Sequence, residues 1–168
     1  MVERVLIVDD DPVQRRLLDN MVRRAGHEPV IAEAGEQAAR MLSSGERFDC
    51  VVLDLVMPDL DGLGVLARMQ EAGLDIPVIV QTAHGGIDNV VTAMRAGAID
   101  FVVKPAGAER LQVSIRNALS SKALAGELQR LRHSRDGILT FDDIVTRAPA
   151  MEPVLRAAEK AATSDIPV

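Results

Sequence analysis

A doubly wound α/β domain built on a five-stranded parallel sheet is the fold this sequence predicts, and three observations carry it. Five short runs rich in Val and Ile recur within residues 1–105. Most of these runs are continuously apolar, as expected of parallel strands covered by helices on both faces. The stretches between them place apolar residues at helical spacing, and strand–helix alternation repeated five times points to parallel crossover units.

Taken in order, the first strand is Val5–Val8. Asp11 then caps a first helix whose first position is Pro12, where the missing N–H costs nothing. Leu17, Leu18, Met21 and Val22 form its apolar face, and Gly26 ends it. The second run, Pro29–Ile31, is the weakest and belongs near a sheet edge, where proline is tolerated. Helix at about 36–42, strand at Cys50–Leu53, helix at about 63–71 and strand at Val78–Val80 follow. A helix at about 87–96, a strand at Ile99–Val103 and a helix from Ala108 to about Leu119 complete the series. Met21, Met41, Met69 and Met94 fall on apolar helical faces and read as core filler, and Cys50 as a buried small hydrophobe.

The fifth helix is predicted to run on. From Ala108 to about His133 there is no proline, and Gly126 is the only glycine. Leu111, Ile115 and Leu119 form one stripe, and Leu124, Leu128 and Leu131 form a second with heptad-like steps. A stalk pairing with a second copy is the expectation, against the plainer alternative of a solvated linker helix. Ser134–Gly137 is expected to break it. The organisation that follows is a domain over 1–120, a helical linker over 121–137, and a separate piece over 138–168. That piece holds Phe141–Ile144, a helical run near 151–163, and Asp165–Val168, which reads as the start of another strand, cut short.

Composition excludes several classes of function. Of 168 residues, 48% are hydrophobic and 26% charged, which suits a globular core. No apolar run approaches the roughly 18 residues of a membrane helix, and Met1–Arg4 leads into a strand without a secretory signal. A single cysteine makes no internal disulfide, which fits a reducing cytoplasm. Residues 1–120 hold 12 Lys and Arg against 18 Asp and Glu, whereas 121–168 hold seven of each. Neither part is basic enough to bind nucleic acid through phosphate neutralisation. With 2% aromatic residues and neither Trp nor Tyr, base stacking is excluded too.

The polar residues gather where ligands bind in open α/β sheets, at the carboxyl ends of the strands. Strand 1 ends in Asp9-Asp10-Asp11, strand 3 in Asp54, strand 4 in Gln81-Thr82 and strand 5 in Lys104-Pro105. Converging carboxylates repel one another unless a cation neutralises them. A hard, oxygen-seeking Mg²⁺ suits such a site, with its remaining positions left to water and phosphate. Lys104 supplies a point charge for a phosphate oxygen, and Thr82 a hydroxyl. An Asp in that setting is equipped to attack a phosphoryl group and hold the acyl phosphate. Singly, a triple Asp is often a capping cluster and a Lys-Pro a turn; their conjunction at consecutive strand ends is far more specific. Asp59–Gly62 has the look of a calcium loop but fails at its first and last ligand positions, so a tight turn explains it better. His27, His84 and His133 show no metal spacing, although His84 lies two residues beyond Thr82.

Val8–Pro12, Asp54–Gly62, Thr82-Ala83 and Lys104-Pro105 together resemble the receiver domain of bacterial two-component response regulators, over about residues 1–120. The resemblance implies the flavodoxin-like strand order 2-1-3-4-5, with Asp54 as phosphoacceptor and Asp10 as a direct Mg²⁺ ligand supported by Asp9. It also implies the backbone carbonyl of Val56 as a third protein ligand, Thr82 and Phe101 as a switch pair, and Lys104 as the phosphate-binding lysine. Asp9/Asp10 is preferred to Asp10/Asp11 because Val8 marks the strand end. The Lys104–Pro105 bond resembles one that is cis in that family. A histidine kinase is the implied phosphoryl donor, and slow self-dephosphorylation the most catalysis expected.

Phe141–Val145, Ala148–Met151 and Ala162–Val168 are similar to the opening of the AAA+ ATPase domain of sigma-54-dependent (NtrC-like) transcriptional activators. Thr146 and Ala148 depart from the glycine and serine usual there. Such domains continue into a P-loop, which these residues do not reach, so no ATP hydrolysis is expected of them. Sigma-54 RNA polymerase and DNA would be engaged only through further domains. Two rival functions share the site: a Mg²⁺-dependent aspartyl-phosphate phosphatase, and an interaction module that is never phosphorylated. The phosphatase lacks an acid two residues after Asp54, where Val56 stands.

Overall fold

The computed structural model describes residues 2–83 and 87–135. Strands β1 (Arg4–Val8), β2 (Glu28–Ala32), β3 (Cys50–Asp54), β4 (Val78–Thr82) and β5 (Asp100–Val103) alternate with five helices. These are α1 (Pro12–Arg24), α2 (Gly35–Ser43), α3 (Gly62–Glu71), α4 (Ile87–Arg95) and α5 (Ala108–Arg135). All pairings are parallel and the order is β2-β1-β3-β4-β5, as expected, with Pro29 on an edge strand. The chain divides into two units, Met1–Leu124 and Ala125–Val168. Of the second, residues 125–135 are described, and they are helical.

Strand alternation sorts the first unit's core into two layers. Leu6, Val8, Val51, Leu53, Val78 and Val80 pack against α2, α3 and α4 through Leu42, Val65, Leu66, Met69 and Ala93. Val5, Ile7, Cys50, Val52, Ile79 and Val102 face the other way, onto Leu18 and Val22 of α1 and Leu111 and Ile115 of α5. Each fully buried Leu, Ile or Val contributes about 1.5–3 kcal/mol relative to exposure. From β1 the chain winds outward to β2 through α1 on one face and returns to β3 through α2 on the other, so the strand order reverses between β1 and β3, which opens a crevice at the strands' carboxyl ends.

Local chemistry sets the helix starts. Asp11 caps α1, accepting from the backbone N–H of Val13 at 2.7 Å. Past the C-cap Ala25, Gly26 takes φ +88°, a left-handed turn that suits glycine. Asp61 caps α3 through the N–H of Gly64 at 2.7 Å, so Asp59–Gly62 is a helix entry rather than a calcium loop. Helix α2 has no side-chain cap of its own; Asp59, far along the chain, accepts from Gly35 N (3.2 Å) and Glu36 N (2.9 Å) instead.

Several expectations need correction. Leu17 and Met94, assigned to apolar core faces, are 39% and 41% exposed, because each lies at the rim of its helix's buried stripe. On the edge strand β5, Phe101 and Val103 are exposed rather than covered. Ser134 and Arg135 continue α5 instead of breaking it. His84, Gly85-Gly86 and everything read from residues 136–168 lie outside the described residues, as do the side chains of Leu131 and His133.

Candidate functional site

The three consecutive aspartates after β1 have three different environments. Asp9 is fully buried on the α1/α5 side of the sheet, Asp10 is exposed, and Asp11 is the α1 cap. Arg15, one turn into α1, donates through Nη1 to the backbone carbonyls of Asp9 and Asp10, each at 2.9 Å. That guanidinium fixes the loop on which the acids sit. Sequence reasoning missed it; an arginine one turn after the capping proline was the available signal.

Asp54 ends β3 and is 7% exposed. The loop that follows it is held close by Gly62, where a Cβ would collide with the carbonyl oxygen of Asp54 and come within 2.8 Å of Leu55 Cα. Only a residue without a side chain permits that approach. From the other flank, Lys104 follows β5, its N–H bonded to the carbonyl of Thr82 at 2.9 Å, ahead of a cis bond to Pro105. The Lys104 ammonium lies 2.7 Å from Asp9 Oδ2 and 2.7 Å from Asp54 Oδ2. The remaining oxygens accept backbone N–H groups: Asp9 Oδ1 from Asp11 at 2.9 Å, Asp54 Oδ1 from Val56 at 3.2 Å.

Burial raises the Asp9 carboxyl above its ordinary value; the Lys104 and Asp11 hydrogen bonds oppose this, and the charge of Asp54 adds to the rise. Burial works to lower Lys104, but its hydrogen bonds to Asp54 and Asp9 outweigh it and hold the ammonium protonated. Oxygens of Asp9, Asp10 and Asp54 lie within 4.8 Å of one another. This donor set, all hard carboxylate oxygen with one member open to solvent, fits a divalent cation that keeps part of its water shell.

Thr82 is buried at the end of β4. Phe101 stands 37% exposed on β5, its Cα registered with Val80, so alternation puts Phe101 and Thr82 on the same side of the sheet. Val56 is 69% exposed, and it enters the hydrogen bonding of the site through its N–H.

Residues 5–116 match the family described as response regulator receiver domain. The chain belongs to that family. The transcriptional regulatory protein GlrR and the regulatory protein AtoC, both of Escherichia coli K12, are similar to it. GlrR is 36% identical over 98% of this chain and 34% of its own length, and AtoC 30% identical over 99% and 36%. The chain thus spans about a third of the length of these curated relatives. Among solved structures, the receiver resembles the signal receiver domain of a LuxO repressor protein from Vibrio parahaemolyticus, at 30% identity and a TM-score of 0.72 over 76% of this chain and 98% of that one. NtrX from Brucella abortus, solved with ADP, is 29% identical with a TM-score of 0.73 over 96% of this chain and 34% of its own.

Proposed function

We propose that this receiver is a phosphorylation switch in which Asp54 accepts a phosphoryl group from the phosphohistidine of a partner kinase. One observation carries the reading: Asp54 is buried beside Asp9, and both are bridged by the same ammonium at 2.7 Å. A carboxylate oxygen of Asp54 attacks phosphorus, the P–N bond of the donor breaks, and its electron pair returns to the imidazole. Asp9, Asp10 and Asp54, with the Val56 carbonyl, would hold Mg²⁺, which offsets negative charge as the phosphoryl group arrives. Lys104 moves to a phosphoryl oxygen, and the N–H of Val56 is placed to donate to another.

The modified site carries about 1.5–2 additional negative charges. Thr82 turns its hydroxyl toward them, and Phe101 rotates inward from its exposed position on β5. The surface of α4, β5 and α5 changes, and α5 carries the change onward. The organisation into a receiver over 1–120, a helical linker over 121–137 and an ATPase opening over 138–168 suits a cytoplasmic transcriptional activator working with sigma-54 polymerase. Relatives about three times as long as this chain support that reading. In it, receiver and linker set the pairing of two copies.

The test is intact mass after incubation with acetyl phosphate and Mg²⁺, beside Asp54→Asn. One Mg²⁺-dependent phosphoryl addition, absent from the variant, is expected. No addition to the wild-type chain overturns the reading and leaves an interaction module.

A further inference from the structure

Gln81 takes no part in the chemistry above, yet it stands within the site. The residue is 1% exposed, and its Nε2 is buried without a hydrogen-bond partner. Its neighbours along β4, Val78, Ile79 and Val80, are all apolar and buried. A buried amide donor left unpaired is costly, and an apolar side chain at this position avoids the cost. The amide therefore needs an acceptor at some other stage.

Topology says which. Register pairs Gln81 with Asp54 on one side and with Val102 on the other. Asp54, Gln81 and Lys104 stand two residues after Val52, Ile79 and Val102, which are buried together on the α1/α5 side. All three side chains thus leave the same face, on or just beyond β3, β4 and β5. Strand β4 lies between the other two, so the Lys104 side chain crosses it on Gln81's side to reach Asp54 and Asp9.

We propose that Gln81 is a positioning residue for the phosphorylated state. Its N–H stays unpaired while Lys104 spans Asp9 and Asp54. It gains the Asp54 oxygen that the lysine releases when the ammonium moves to a phosphoryl oxygen. The unmodified site carries a defect that modification repairs, which draws the equilibrium toward the modified state. The inference rests on the phosphoacceptor reading above and adds a donor to it.

Gln81→Met, similar in length and volume, removes the donor, and Gln81→Leu checks that packing is not responsible. Each is melted without ligand and titrated calorimetrically with beryllofluoride at saturating Mg²⁺, beside the wild type. The expected pattern has opposite signs: a melting temperature equal to or above wild type, with beryllofluoride affinity about tenfold weaker and Mg²⁺ affinity unchanged. A tenfold loss corresponds to about 1.4 kcal/mol. Affinities within twofold of wild type in both variants overturn the proposal. So does a lowered melting temperature in both, which means the amide already has a partner in the unmodified protein. A wild-type chain that binds no beryllofluoride and takes no phosphoryl group overturns the phosphoacceptor reading as well, a result distinct from normal wild-type binding with unaltered variants.

Discussion

At the scale of residues, identical side chains acquire different work from their surroundings. Asp9, Asp10 and Asp11 are adjacent in sequence, yet one is buried beneath an ammonium, one faces solvent and one caps a helix. Removing the arginine that fixes their loop should act at a distance: Arg15→Met should weaken Mg²⁺ binding on the order of tenfold in calorimetry, as loss of outer supports generally does. Cys50 has the opposite character. Burial pushes its thiol up to about 12, so it should resist iodoacetamide near neutral pH in the folded protein and react once guanidinium unfolds the chain. Asp100 offers a pH test. Burial works to raise its carboxyl, but hydrogen bonds from Ser114 Oγ (2.7 Å), Phe101 N (2.8 Å) and Arg110 (2.8 Å) together hold it below its ordinary 3.8. A depressed carboxyl stabilises the fold above its unfolded value, and the effect is lost as pH falls through the native one. The melting-temperature gap between wild type and Asp100→Asn should therefore close as pH drops below about 4. Asp100→Ala should cost about 1–3 kcal/mol in denaturant melts, since it strands the buried hydroxyl of Ser114.

At the scale of elements, the sheet was the most legible part, because runs such as Val5–Val8 and Cys50–Leu53 are apolar without interruption and carry both period and length. The site's acids and lysine were legible for a related reason: each sits at the end of a strand-like run, where the fold class puts chemistry. What escaped was non-local or set by packing. Nothing near Ala34 announces that Asp59 will cap α2, since the partner is 24 residues from Gly35. Gln81 stood in plain view at a strand end, but whether a buried amide is paired depends on neighbours from three strands. Leu17 and Met94 fit a helical stripe by spacing, yet the width of a stripe that is covered is decided by the facing surface. The Gly62 turn is legible only as a turn; its pressure against the Asp54 carbonyl is a tertiary fact. Gly62→Ala should displace the strand end that bears Asp54, lowering both the melting temperature and the rate of labelling by acetyl phosphate.

At the scale of the whole molecule, charge and exposed apolar surface determine what the chain meets. All the excess acid lies within residues 1–120, so association with a kinase should slow as salt is added to a degree set by the kinase's own basic surface. Leu124 and Leu128, four residues apart on α5, are 61% and 55% exposed. Replacing both by Glu should abolish any concentration-dependent self-association in sedimentation while leaving labelling of Asp54 intact. If wild-type and doubly substituted chains sediment identically at all concentrations, α5 is a solvated linker. The acidic cluster has a consequence of a different kind. Each of the four carboxylate oxygens of Asp9 and Asp54 already has a donor, from Lys104 twice and from the N–H groups of Asp11 and Val56. Lys104 and these N–H groups offset part of the repulsion between the two acids when the chain folds, and their oxygens keep their places before any ion arrives. A cation entering this crevice finds a preorganised cage, so its binding entropy carries little ordering of protein, and exchange is governed by how fast the ion sheds water.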